Sequence, residues 1–90
     1  MAQSDERTAT HPGEVLLEEY IKPLGLTQAT LAKELGISTN RLNELVRGRR
    51  GVTADTALRL ARRFDTSPEF WMILQMAYEL ARARLALPAD

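Results

Sequence analysis

The five residues "ELGIS" at 34–38 constrain this chain more than any others. A helix-like segment ends at Gly36 and another can restart at Ser38, so two helices must meet across a turn with no slack. Gly36 supplies the positive φ that such a turn needs, and Ile37 can plug the angle between the helices. Before the turn, Leu31 and Leu35 share a face with Ala32 between them, small enough to let a neighbour approach. After it, at about 100° per residue, Leu42, Leu45 and Val46 fall together. Asn40, Asn43, Glu44 and Arg47 fall on the opposite side, flanked by Thr39 and Arg41.

The remaining punctuation frames this pair. Pro12 suits the first turn of a segment running to about Lys22, stopped by Pro23 and Gly25. Thr27 caps the segment ending at Gly36, and Ser38 the segment ending at Gly48. Thr53 caps a fourth running to about Phe64. Ser67, followed by Pro68, opens a fifth running to about Leu85. No convincing strand or repeat interrupts them, and the loops are short. The expectation is an all-α, compact five-helix bundle over residues 11–87. Its helix-turn-helix lies at about 27–47 and its C-terminal helix at 67–85. Residues 1–10, "MAQSDERTAT", are polar and aperiodic and are expected to be a flexible tail.

Ninety residues make one domain with a modest core, so a bound partner would help its stability. Cysteine is absent, which excludes disulfides and thiolate metal sites. No apolar run reaches membrane-spanning length and no signal peptide is expected, so a soluble cytoplasmic protein follows. Twelve basic and twelve acidic residues cancel, but unevenly. Residues 26–63 hold eight basic and three acidic residues, whereas 1–25 hold two and five, and 64–90 two and four. Local potential, not net charge, is what a phosphate backbone feels.

An α-helix fits the major groove of B-DNA, where Asn pairs bidentately with adenine and Arg with guanine. Gln28, Ser38, Thr39, Asn40, Asn43 and Arg47 are therefore the candidate base readers. Thr27, Arg41, Arg49, Arg50 and Thr53 are candidate phosphate contacts, the last three in "RGRRGVT" at 47–53. Helix N-termini attract anions, and such contacts position rather than specify. Glu44 either accepts from a cytosine amino group or pairs with Arg41 or Arg47 and orients them, the second being favoured. Arg59, Arg62, Arg63 and Lys33 read as solvated positions.

Nothing suggests an enzyme. His11 is the sole histidine, without the acidic cluster or cysteines that a metal or a catalytic base would need. Glu18 and Glu19 are adjacent and diverge on a helix. No catalytic residue, metal ligand or cofactor is assigned.

The fifth segment is apolar over most of its circumference. Phe70, Ile73, Leu74, Ala77 and Ala81 form one stripe, Trp71, Tyr78 and Leu85 widen it, and Met72 and Met76 lie near the far side. That exceeds what one small core needs. Trp71, Met72, Met76 and Tyr78 are the expected dimer or partner interface. In a homodimer, two recognition helices about 34 Å apart would read both halves of a palindromic double-stranded operator.

Counted from Gln28, the apolar positions Leu31, Leu35, Ile37, Leu42 and Leu45, with Ala32 and Gly36 in the small slots, resemble the phage-repressor-like (Cro/C1, XRE) helix-turn-helix family, the lambda-repressor-like fold. Three further segments resemble HigA-type antitoxins: "HPGEVLLEEYIKPLGLTQ" at 11–28, "GRRGVTADTALRLARRF" at 48–64 and "TSPEFWMILQ" at 66–75. The resemblance implies a repressor that is also the antitoxin of a type II toxin–antitoxin module. Its partner would be a small basic toxin, a ribosome-dependent mRNA endonuclease, and the antitoxin would repress the shared operon as a dimer. The acidic Glu14, Glu18 and Glu19 are the suggested attraction for such a partner. The alternative is a stand-alone phage- or plasmid-type regulator of the same fold; a protein-interaction module that has lost DNA binding is a third.

Overall fold

The computed structural model describes residues 9–88. Residues 1–8, most of the expected tail, lie outside the described residues. Five helices and no strand occur among the described residues. They are α1 (residues 12–24), α2 (Gln28–Leu35), α3 (Thr39–Val46), α4 (Ala54–Phe64) and α5 (Pro68–Ala86). None is long and apolar enough to cross a membrane.

Each helix starts on a side-chain cap. Thr27, Ser38, Thr53 and Ser67 accept from the backbone N–H three residues on, at 3.0, 3.0, 3.3 and 3.1 Å, which satisfies one orphan donor at each start. His11 does the same for α1, its Nδ1 accepting from the Gly13 N–H at 2.8 Å, with Pro12 at the first helical position.

Two boundaries differ from the expected ones. Pro23 does not stop α1. The helix widens to π geometry over Leu17–Ile21, and the Lys22 N–H reaches back five residues to the Leu17 carbonyl. That shift in register accommodates a residue with no N–H to give. Gly25, left-handed at φ 64°, ends the helix at Leu24. At its other boundary α3 stops at Val46, not Gly48. Gly48 donates to Leu45 and Arg49 to Glu44, closing the helix from outside in a Schellman motif. The turn at 34–38 uses the same device, with Gly36 at φ 75° donating to Lys33, and Ile37 donating to Ala32.

Leu16, Leu31, Leu42, Leu45, Leu60 and Trp71 are the large fully buried side chains. Each buried leucine contributes about 1.5–3 kcal/mol relative to exposure. They bring α1, α2, α3, α4 and the start of α5 onto one core. Gly13 sets the approach of α1 to α3: a Cβ there would lie 1.8 Å from the Leu45 carbonyl oxygen, so only a glycine fits.

The phase of α5 differs from the expected stripe. Trp71, Gln75 and Ala81 are buried, with Leu74 and Tyr78 half-buried, while Ile73 is 57% exposed and Ala77 faces solvent. Trp71 decides the phase. Its ring packs on Tyr20 at 5.3 Å, and its Nε1 donates to Thr66 Oγ1 at 2.8 Å. Trp71 is 0% exposed and offers no surface to a partner, which corrects its assignment as an interface residue. Tyr78 is also largely committed within the chain, edge-on to His11 at 4.7 Å and beneath Arg82. Met72 and Met76 do face outward.

Candidate nucleic-acid interface

With Leu42 and Leu45 turned inward, α3 and its C-cap Arg47 carry Thr39, Asn40 and Arg47 exposed and Asn43 and Glu44 half-exposed on the outer side. The two helices of the motif are linked on that side. Asn43 Nδ2 donates to Gln28 Oε1 at 3.2 Å, from the middle of α3 to the first residue of α2. Asn40, Ser38 and Thr39 stand around the capped start of α3. Ser38 Oγ accepts from Arg41 N–H and keeps its own O–H to donate. Thr27 and Thr53 likewise cap the starts of α2 and α4.

The basic residues divide into two groups. Arg41 is turned away from the row: its Nη2 donates to Asp55 Oδ2 at 2.9 Å and Thr56 Oγ1 at 2.7 Å. Arg50 places Nε and Nη2 on Glu44 Oε1, at 3.0 and 2.7 Å. Glu44 therefore pairs with Arg50, not with Arg41 or Arg47. The reason is the Schellman closure after α3, which folds the loop back beside Glu44. Arg47 and Arg49 are exposed and enter no ion pair among the described residues. They are the two cations of this surface free for phosphates or base edges. Exposed pairs such as Arg50–Glu44 are individually weak, about 0–1 kcal/mol, so this pair orients the two side chains more than it stabilises the fold.

Two arginines of α4 are structural rather than merely solvated. Arg59 Nη1 donates to the Leu35 carbonyl at 2.8 Å and the Gly36 carbonyl at 3.3 Å, capping α2 from outside, while its Nε holds Asp55 at 3.0 Å. Arg63 donates to Glu34 at 2.6 Å. The guanidinium groups of Arg41 and then Arg59 hold the Asp55 carboxyl below its usual range. The i,i+4 spacing of Asp55 and Arg59 is visible in the sequence; the reach of Arg59 back to the turn is not.

Gln75 and His11 are further supports that the sequence reading missed. Gln75 Oε1 accepts from the Val52 N–H at 2.7 Å, and its Nε2 donates to Glu79 at 2.8 Å, so a buried amide of α5 holds the loop carrying Arg49 and Arg50. As the single amide of this helix, set within the apolar run from Phe70 to Ala77, it was the available signal. His11 lies against the same loop. Burial, outweighing a hydrogen bond with the Arg50 backbone and the charge of Glu14, holds its pKa below the usual value.

These features define a helix-turn-helix module: a short exposed helix carrying amides and a guanidinium, braced by a second helix and followed by a basic loop. The helix-turn-helix family model matches residues 17–71. Virulence-associated protein I of Dichelobacter nodosus is 52% identical over 82 residues, covering 91% of this chain and 76% of that protein. The Pseudomonas aeruginosa antitoxin HigA, solved with the higBA promoter, superposes with TM-score 0.85 at 46% identity, covering 87% of this chain and 85% of that one. The antitoxin GraA, solved in complex with its operator, superposes with TM-score 0.85 at 44% identity over 94% and 86% of the two chains. The chain belongs to the helix-turn-helix family, and within it to the HigA-type antitoxins. The resemblance carried by residues 11–75 is borne out.

Proposed function

We propose that this chain is the DNA-binding antitoxin of a toxin–antitoxin pair, repressing its own operon as a homodimer on a palindromic operator. The observation that carries the reading is the outer side of α3. Its amide side chains stand clear of the core and are held in register by the Asn43–Gln28 bond, in a chain of the family to which operator-bound antitoxins belong. In this reading α3 enters the major groove, and Asn40, Asn43 and Arg47 meet base edges. Ser38, Thr39 and Gln28 flank them. Thr27, Thr53 and the free backbone amides at the starts of α2 and α4 receive phosphate oxygens. Arg49 adds a point of phosphate attraction, while Arg50 stays on Glu44. The chain acts in the cytoplasm, by binding alone.

Dimerisation falls to the outer side of α5, where Met72, Ile73, Met76 and Leu80 are exposed beyond the needs of the core. The second partner is a small basic RNA-cleaving toxin. The exposed Glu14, Glu18 and Glu19 suit such a partner; among the described residues Glu18 pairs with Lys22, in an exposed i,i+4 pair at 2.8 Å. Charge reversal at Glu18 and Glu19 should weaken toxin binding in a salt-sensitive manner.

The test is a tagged pull-down from the native host, washed at about 0.5 M salt, where the Debye length is roughly 4 Å and loose ionic contacts fade. A stoichiometric small basic protein, encoded beside this gene and arresting growth when expressed alone, is the expected result. Recovery of this chain alone, with operator binding intact, would favour the stand-alone regulator.

A further inference from the structure

We propose that Glu44 is a specificity-determining residue of this surface and that it selects a cytosine, through its exocyclic amino group, in the major groove. The proposal rests on the operator-binding reading above. Glu44 lies on α3 one turn after Asn40 and beside Asn43, within the row of base readers rather than at its edge. Arg50 places two donors, Nε–H and Nη2–H, on a single carboxylate oxygen, Oε1. Oε2 has no hydrogen-bond partner among the described residues. A pair that served only to neutralise Arg50 would gain more from the two-oxygen fork that guanidinium and carboxylate commonly form. Here one oxygen is anchored and the other is left to accept.

A carboxylate accepts and cannot donate. Guanine presents two acceptors in the major groove, and thymine an acceptor and a methyl group. Adenine presents its amino group beside the N7 acceptor, whereas cytosine presents an amino donor alone. Cytosine is thus the base edge that meets a bare carboxylate without an opposing lone pair. Arg50, held against the same side chain, offsets the repulsion between that carboxylate and the phosphates, which would otherwise make a glutamate in the row unfavourable.

The test is selection from a randomised duplex library with the wild-type chain and the variants Glu44→Ala and Arg50→Ala, followed by affinities for the selected site with single base-pair replacements. Glu44 and Arg50 are both partly exposed, and thermal melts would verify that the variants fold. The expected wild-type site holds a cytosine at one fixed position in each half, whose replacement costs about tenfold in affinity. Glu44→Ala keeps the rest of the site but loses that preference, so the same replacement costs it under about twofold. Arg50→Ala weakens the preference, because the carboxylate is no longer held. If Glu44→Ala enriches the same cytosine as the wild type, or shifts affinity for all sequences equally, Glu44 is only a partner for Arg50 and the proposal fails. A wild-type chain that enriches no sequence would instead sink the operator-binding reading, and this proposal with it.

Discussion

The outer sides of α3 and α5 are both exposed, and they differ in what water leaves unsatisfied. On α3 the exposed groups are amides, hydroxyls, a guanidinium and the Glu44 carboxylate, solvated comfortably until a ligand replaces the water. On α5 they are Met72 at 38%, Ile73 at 57%, Met76 at 54% and Leu80 at 44% exposure, with Leu85, and Leu87 just past the helix end, more open still. These are apolar groups whose burial is still to be gained. The first surface is complete in a single chain and waits for a ligand. The second asks for a partner simply to become dry. On the proposed reading, one chain thus separates recognition, written in hydrogen-bonding groups, from assembly, written in area.

The largest expected effect breaks the scaffold behind the α3 surface. Leu42 is 0% exposed, and Leu42→Ala should cost about 2–5 kcal/mol in urea unfolding, with DNA binding lost because α3 is no longer held. Changing Asn40 and Asn43 to Ala should lower stability by no more than the roughly 1 kcal/mol of the Asn43–Gln28 bond, yet cost about 1–3 kcal/mol of operator affinity for each bidentate contact removed. The affinity would be read by fluorescence anisotropy. If stability fell and affinity did not, the α3 row would be structural. For α5 the expectation is reversed. Met76→Lys should change monomer stability by no more than about 0.5 kcal/mol but shift the sedimentation equilibrium toward monomer and weaken binding to a full palindrome more than to a half-site.

A smaller effect sharpens the division among the arginines. Arg49→Ala should weaken binding to every sequence and reduce the slope of log K against log salt by about 0.9. Arg41→Ala should move that slope less, since its guanidinium is held by Asp55 and Thr56. The smallest concerns His11, whose neutral imidazole accepts the Gly13 N–H. Its folded pKa lies below the unfolded value, so the unfolded chain binds the proton more readily. The contribution of His11 is therefore full above about pH 6.5 and is lost as pH falls below it. Thermal melts at pH 8 and pH 5.5 should show the loss, bounded by the roughly 1 kcal/mol of a helix cap. His11→Asn, which caps without titrating in this range, should flatten it.

The legibility of these two surfaces was unequal, and the cause is periodicity. In α3 apolar and polar residues alternate cleanly around the axis, so the inward face of Leu42 and Leu45 and the outward row could be assigned before any contact was known. In α5 apolar residues occur on all sides, and the wheel offered no unique phase. The stripe through Phe70, Ile73 and Ala77 was as plausible as the line through Trp71, Leu74, Gln75 and Tyr78 that the molecule buries. Ion-pair partners escaped for a related reason. Glu44 could be matched along its own helix to Arg41 or Arg47, but Arg50 reaches it only because the loop after α3 turns back.

What the sequence by itself determined is local and periodic. Cap residues such as Thr27, Ser38, Thr53 and Ser67, the positive-φ glycines, and the 3.6-residue spacing of leucines specify five helices, the tight turn and the outer row of α3, because each acts within one or two turns of chain. What only the tertiary structure decided depends on residues distant in sequence meeting in space. The phase of α5 was chosen by Trp71 finding Tyr20. The placement of the arginine loop was chosen by Gln75 finding the Val52 amide. The closeness of α1 to α3 was chosen by Gly13 resting against the Leu45 carbonyl. Such choices are made by packing and by the need of each buried polar group for a partner, and neither leaves a period in the chain.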